Sequence, residues 1–343
     1  MHQLLNTLYV TTENSFLRLD HETLKVSVER ETKLQVPLHH LGGVVCFGDV
    51  MVSPALMRRC GEDGRSLVLL DRNGRFKARL EGPVSGNVLL RRAQHEWSSD
   101  AEKSLGIAKK LVAGKIQNSR QVLMRAAREA VDAEDEEALR DGATALADSL
   151  SRIRRCDDID RLRGNEGESA RAYFNCFDRM VLEDRESFRL DGRNRRPPLD
   201  PMNALLSFLY SMLTNDCVGA AEGVGLDPQV GFLHVLRPGR PALALDLMEE
   251  LRAVLADRLA LTLVNRRQIT TAHFDDRPGG AIYLGEEGRK CVVVAYQTRK
   301  QEEILHPLLE QKIPLGLIPH IQARLLARVL RGDMEDYVPF LQR

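Results

Sequence analysis

Residues 101–130, AEKSLGIAKKLVAGKIQNSRQVLMRAAREA, carry apolar side chains at three- and four-residue spacing, the period of a helix with one buried face. The spacing predicts two helices, over Ala101–Ala113 and Ile116–Ala130. Upstream the period is different. Thr7–Thr11, Phe16–Leu19, Leu24–Val28 and Lys33–Val36 are short, several alternate apolar with polar, and Glu13-Asn14, Asp20-His21 and Asp71-Arg72-Asn73-Gly74 punctuate them as turns. Val44–Phe47 and Leu67–Leu70 are wholly apolar, which suits a buried strand. Between them Ser53–Cys60 reads as a helix, with Ser53 as N-cap, Pro54 at its first position and Gly61 as its stop. The change of period near Arg91 predicts an α+β chain. A small β-sandwich-like domain over residues 1–91 precedes a larger, mainly α-helical domain over 92–343.

Downstream, helical patterns recur at Thr144–Arg154, Glu166–Leu182, Ala204–Cys217, Ala242–Leu261 and Ile321–Leu330. The acidic run Asp132–Glu137 reads as a solvated helix face. Two stretches interrupt the helices. Asp191–Pro201, DGRNRRPPLDP, is a basic, proline-rich loop, and Pro278–Tyr296 reads as a hairpin in which AIYL and CVVVAY flank GEEGRK.

A chain of 343 residues is long for one core, which agrees with two domains. Lys+Arg and Asp+Glu both number 49, and residues 1–90 hold 11 basic and 10 acidic residues, so no region is uniformly basic. A coat for nucleic acid is excluded; a local basic groove is not. Arginine supplies 39 of the cations, a bias that codon usage explains more readily than phosphate binding does. Six cysteines without a CxxC pair argue against a zinc knuckle or a disulfide scaffold and for reduced thiols in the cytosol. MHQLLNTLYV lacks a charged n-region, and no apolar run approaches the ~20 residues that span a bilayer. The expectation is a soluble cytoplasmic protein with no membrane partner.

Two segments combine residue types suited to chemistry. In RLRGNEGESARAYF (161–174), Glu166 lies between two glycines at the expected start of a helix, followed by Arg171 and Tyr173. Capping of the helix dipole is the plainer reading of that carboxylate, and metal ligation the sharper one. In GFLHVLRPGRPALALDLMEELR (231–252), His234 precedes an Arg-Pro-Gly-Arg-Pro turn and a helix bearing Asp246, Glu249 and Glu250. Asp246 and Glu249, three apart, share a face and can point at one ion, whereas Leu243, Leu247 and Leu251 form a stripe toward the core. Taken singly, His234 reads as a hydrogen-bonded, partly buried histidine and the acids as a wet surface. Taken together, an imidazole with carboxylates suits Mg²⁺ or Mn²⁺, the ions that assist phosphodiester chemistry. Arg171, Arg237, Arg240 and Arg252 stand nearby in sequence and suit a polyanionic substrate. His39-His40 reads as a turn or packing feature. Gly42-Gly43 and Gly279-Gly280 lack a nucleotide-binding pattern, and Ser53, Ser66 and Ser207 lack a nucleophile elbow.

At these segments the chain resembles the CRISPR-associated integrase, the larger of the two universal proteins of spacer acquisition. The matching text is GNEGESARAYF, NALLSFLYSML (203–213) and GFLHVLRPGRPALALDLMEELR, with further agreement in KIQNSRQVL (115–123), CVVVAYQTRK, VSPALMRRC and GRSLVLLDRNGRF. Its details look most like the type I-C branch. The resemblance implies an N-terminal β-domain that dimerises, a helical catalytic domain, and a metal triad on Glu166, His234 and Glu249, with Asp246 a supporting acid near the metal. It implies metal-assisted attack by the 3′-hydroxyl of a captured DNA fragment on a repeat phosphodiester, or hydrolysis when water attacks. Implied partners are double-stranded DNA, a second copy of the chain, a dimer of a small ferredoxin-like protein and a nuclease that trims captured ends. Arg171, Arg237, Arg240, Arg252 and the loop Arg193–Arg196 are the expected phosphate contacts, and Tyr173 and Asn203 either orient the site or simply pack. The alternatives are a stand-alone metal nuclease acting on DNA, RNA or branched intermediates, and a non-catalytic DNA-binding scaffold.

Overall fold

The structure is a computed structural model that describes residues 7–72, 76–82, 88–190, 192–194 and 197–342. Its first part is built of strands β1 (Thr7–Val10), β2 (Phe16–Asp20), β3 (Thr23–Val28), β4 (Glu31–Pro37), β5 (Gly43–Phe47), β6 (Met51–Val52), β7 (Ser66–Leu70) and β8 (Phe76–Leu80), with helix α1 (Pro54–Glu62) between β6 and β7. They form two sheets, in the orders β1-β5-β7-β8 and β4-β3-β2-β6. β5 lies parallel to both β1 and β7, which explains the apolar run of that strand: a central parallel strand is buried on both faces. Val44, Cys46 and Leu67 face an inner core with Leu17, Leu24, Leu38 and Leu56. The alternate residues Val45, Phe47, Val68 and Leu70 face the other way, into the core of the helical part.

Ser53 caps α1, its Oγ accepting the Leu56 N–H at 3.3 Å. Gly61 does not stop the helix, as the sequence suggested, but lies inside it. The chain after β8 crosses it closely because residue 82 is glycine, where a Cβ would stand 2.2 Å from the Gly61 carbonyl oxygen.

The helical part comprises α2 (Val88–Ser99), α3 (Ala101–Glu129), α4 (Ala133–Arg154), α5 (Ile159–Asn175), α6 (Pro201–Gly223), α7 (Ala242–Glu249), α8 (Arg258–Asn265), α9 (Glu286–Gln301) and α10 (Ile318–Leu330). Hairpins β9 (Phe274–Arg277)/β10 (Ala281–Leu284) and β11 (Glu303–His306)/β12 (Gln311–Pro314) lie between the last helices. Asp100 caps α3 by accepting the N–H groups of Glu102 and Lys103, both at 3.0 Å. Residues 101–129 form this single helix, not two; at 29 residues it spans roughly 43 Å. Gly114 keeps its helical geometry there and makes room for another segment, since a Cβ would stand 2.8 Å from the Pro339 side chain.

Three further expectations change. In the acidic run 132–137, Glu134 and Glu137 are exposed as expected, but Asp135 is buried and accepts from Arg179 at 2.7 Å and Arg185 at 2.5 Å. CVVVAY is helix α9 and not a strand, and AIYL instead pairs with the preceding Phe274–Arg277. Glu286 and Glu287 in the first turn of α9 and Arg299 and Lys300 in its last match the helix dipole. Val292, Val293 and Tyr296 supply its buried face, which overrides the strand preference of three valines. Finally, Ala242–Leu261 is not one helix: α7 ends at Glu249 and a π-helical turn, Arg252–Asp257, intervenes before α8.

Phe47 stacks on Phe208 of α6 (ring centroids 5.4 Å apart), and Arg79 of β8 pairs with Glu222 at the end of α6 (2.5 Å), so the sheet and helices share one interface. Residues 337–342 run back across α3 and the end of α7. The Asn118 amide donates to the carbonyls of Glu250 and Phe340, both at 2.8 Å, and its oxygen accepts the Gln342 N–H. All six cysteines are free thiols, five of them buried.

Candidate active site

Four elements meet at one wall of the helical part. α3 supplies Lys115, α5 supplies Glu166, the loop between α6 and α7 supplies His234, and the C-terminal half of α7 supplies Asp246 and Glu249. Arg252 follows in the π-helical turn. Glu166 does not open its helix. Asp158 caps α5, accepting from the N–H groups of Asp160 (2.9 Å) and Arg161 (2.8 Å), so Glu166 lies in the helix interior and the capping reading fails.

Asp246 is fully buried, and its oxygens are spent on the histidine loop. Oδ2 accepts the N–H groups of Phe232 (2.6 Å) and Leu233 (3.0 Å), while Oδ1 accepts the His234 N–H (3.0 Å) and Nδ1–H (2.6 Å). This close approach requires glycine at 231, where a Cβ would lie 2.6 Å from Asp246 Oδ2. The expectation that Asp246 and Glu249 aim jointly at an ion is corrected. They flank His234 from opposite ring nitrogens, with Glu249 Oε1 3.8 Å from Nε2. With Nδ1 donating to Asp246, the lone pair is left on Nε2, facing Glu249.

Glu249 is 4% exposed and holds two cations. Arg252 Nη1 donates to both of its oxygens (2.9 and 3.0 Å), and the Lys115 ammonium reaches Oε2 at 2.7 Å. Burial pushes the Glu249 carboxyl up, but the Arg252 guanidinium and the Lys115 ammonium outweigh it and hold the group well below the usual carboxylate range. Lys115 also donates to Glu166 Oε1, so one ammonium joins the two glutamates. Glu250 is not on a wet surface. It is fully buried and accepts from Tyr337 Oη (2.6 Å), the Phe340 N–H (2.7 Å) and Gln322 Nε2 (2.9 Å), and burial pushes its pKa up to about 8.

The wall faces a cleft of about 1860 Å³ that reaches across to Phe76, Ala78 and Arg79 of β8. Arg237, exposed, and Arg240, half-buried, line it, as does Arg163, whose Nε is fixed on the Leu233 carbonyl at 2.8 Å. Arg171 is exposed on α5 but does not line the cleft. Arg252 departs from the expected phosphate-facing role. It is 7% exposed, committed to Glu249, and its guanidinium lies 4.4 Å from the centroid of the Tyr210 ring. Arg193 lines the cleft and lies over the rings of Phe174 and Tyr210, whereas Arg195 and Arg196 lie outside the described residues. Tyr173 and Asn203 are packing residues: Tyr173 is buried against Phe174 and Phe177, and Asn203 ties the start of α6 to Gly192 and Asp200.

Two carboxylates and an imidazole nitrogen are a donor set for a hard divalent ion, and 3.8 Å between Nε2 and Oε1 can be bridged by an ion about 2.1 Å from each. Among the described residues no three His, Cys, Asp or Glu side chains yet stand close enough to share an ion. The ammonium of Lys115 stands between Glu166 and Glu249. Lys115 is the member of the site that the sequence reading passed over. Its signal was a lone charge in the apolar stripe of α3, in register with Leu111, Ser119 and Val122.

Comparison with known proteins gives one direction. The family described as CRISPR associated protein Cas1 matches residues 8–298. A protein of Moorella thermoacetica named CRISPR-associated endonuclease Cas1 1 is 62% identical over 343 residues, 100% of both chains. One of Rhodospirillum rubrum, CRISPR-associated endonuclease Cas1 2, is 53% identical over 99% of each chain. A Cas4/Cas1 exonuclease–endonuclease fusion of Geobacter sulfurreducens is 35% identical over 98% of this chain and 60% of the fusion. Among solved structures, a Cas1 protein of Thermotoga maritima superposes with a TM-score of 0.82 at 24% identity, over 97% of this chain and 98% of that one. The Cas6-RT-Cas1–Cas2 complex gives 0.85 at 22% identity, over 100% of this chain and 37% of its counterpart. These two show a shared fold.

Proposed function

The chain belongs to the CRISPR-associated Cas1 family, and on that premise we propose that it is a metal-dependent DNA endonuclease and integrase. It inserts captured DNA fragments into a CRISPR array by attack of a 3′-hydroxyl on a repeat phosphodiester. The supporting observation is the convergence of Glu166, Glu249 and the free nitrogen of His234 on a cleft edged by arginines. Glu166, His234 and Glu249 would hold Mg²⁺ or Mn²⁺. That ion, when bound, polarises the phosphate and eases ionisation of the attacking hydroxyl.

The chain's own groups prepare the reaction. Asp246 sets the tautomer and angle of His234. Arg252 keeps Glu249 ionised within the wall. Arg163, Arg237 and Arg240 neutralise the nucleic-acid backbone along the cleft, which reconciles a basic track with zero net charge.

The finer reading is a type I-C protein of the cytoplasm. Among the described residues no helix is long and apolar enough to cross a membrane. It acts on double-stranded DNA as a homodimer. Residues 1–91 form the dimerisation domain, where Phe16 and its register partner Met51 are exposed side by side, and residues 92–343 the catalytic domain. The likeness to a Cas1 chain solved together with Cas2 supports a small ferredoxin-like partner dimer, and the Cas4/Cas1 fusion supports an end-trimming nuclease.

The test incubates the protein with its small partner, Mn²⁺, a labelled 3′-OH fragment and a plasmid carrying the repeat. Joined product that disappears in His234→Ala is expected. Joining that persists in the variant overturns the site, and shortened strands alone would favour a stand-alone nuclease.

A further inference from the structure

A buried lysine is costly unless its charge is answered, and Lys115, with 9% of its side chain exposed, is answered by both carboxylates of the proposed metal site. Neither of them needs it. Glu249 already has a two-bond contact from Arg252, and Glu166 keeps a quarter of its side chain exposed to water. What the ammonium achieves is to draw Glu166 and Glu249 together, a juxtaposition their like charges oppose.

A divalent ion makes the same demand on the same oxygens. Ligand oxygens stand about 2.1 Å from Mg²⁺, whereas an ammonium takes about 2.8 Å, and two cations on one carboxylate pair repel. We propose that Lys115 is a resident cation that competes with the metal for Glu166 and Glu249, holding the ligand set assembled while metal is absent and leaving when it binds. This inference rests on the metal reading above. It makes Lys115 a positioning residue. Its depth is set by α3, which Gly114 allows to lie against Pro339 and Glu250.

The test is calorimetric titration of the full chain with Mn²⁺, without DNA, alongside thermal unfolding with and without the ion. Lys115→Met removes the charge and keeps the length. It is expected to bind Mn²⁺ roughly tenfold or more tightly than the native chain and to melt lower without metal, the gap closing at saturating Mn²⁺. Lys115→Gln, which retains a donor, should fall between the two and serves if the methionine variant does not fold. Unchanged or weaker Mn²⁺ binding in a folded variant overturns the proposal. Glu249→Gln is the control for the site itself. If it leaves native Mn²⁺ binding intact, the metal reading and this inference fall together; if it abolishes binding while Lys115→Met changes nothing, only the role of Lys115 falls.

Discussion

The two ring nitrogens of His234 have different duties because of one buried acid. Asp246 accepts from His234 Nδ1–H at 2.6 Å and from three backbone N–H groups, so the ring and its loop are held as a unit. Asp246→Asn puts an amide nitrogen among four donors and removes the charge. Mn²⁺ affinity should drop roughly 10–100-fold, and integration with it, while the far-ultraviolet circular dichroism stays native. Adjacent in sequence, Glu249 and Glu250 are opposites. Glu249 is held ionised by cations, whereas Glu250, pushed up to about 8 by burial, takes up a proton on folding. For a carboxyl raised in the folded state, stability is fully present below its unfolded pKa of roughly 4.5 and is lost as pH rises to about 8. Denaturant unfolding between pH 5 and 9 should therefore show a downward slope that Glu250→Gln flattens. An unchanged slope in the variant would assign it to another group.

Elements were readable where periodicity acted alone and misread where a neighbour overrode it. The strands of the first part and the Ser53 cap follow from local pattern, as does the stripe Leu243, Leu247, Leu251. α9 did not, because Val292, Val293 and Tyr296 face a core that only the folded chain supplies. Nor did the end of α7: Ala242–Leu261 is periodic throughout, yet the chain winds into a π-turn that turns Arg252 inward onto Glu249 and Tyr210. Glu166, His234, Asp246 and Glu249 were visible as residue types, but not the separate duties of Asp246 and Glu249, since hydrogen-bond direction carries no trace in spacing. At this scale Gly231 is the joint between loop and helix. In Gly231→Ala the new methyl meets Asp246 Oδ2 and the backbone of Ala242 at 2.6 and 2.7 Å. About 1–3 kcal/mol of stability should be lost, read as a lowered Tm, together with weaker Mn²⁺ binding because the histidine loop is displaced.

Across the whole molecule, distant parts of the chain close the site. The sheet contributes the far side of the cleft, and Phe47 packs on Phe208 where sheet and helices meet. Residues 337–342 close the opposite side: Tyr337, Phe340 and Gln342 satisfy Glu250 and Asn118, directly behind Glu249 and Lys115. A chain ending at Asp336 leaves a buried carboxyl and a buried amide without those partners. It should melt lower and bind Mn²⁺ more weakly than the chain through 342, and equal affinities would show that the strap is dispensable to the wall. Time enters here. Glu250 precedes Tyr337 by 87 residues and Phe340 by 90, and the ribosome makes them in that order. A nascent chain can therefore form its sheet and long helices while Glu250 still lacks these two partners. In a chain wired this way, the wall that carries Glu249 and Lys115 gains its backing only after residues 337–342 have been made, so order of synthesis is also order of assembly.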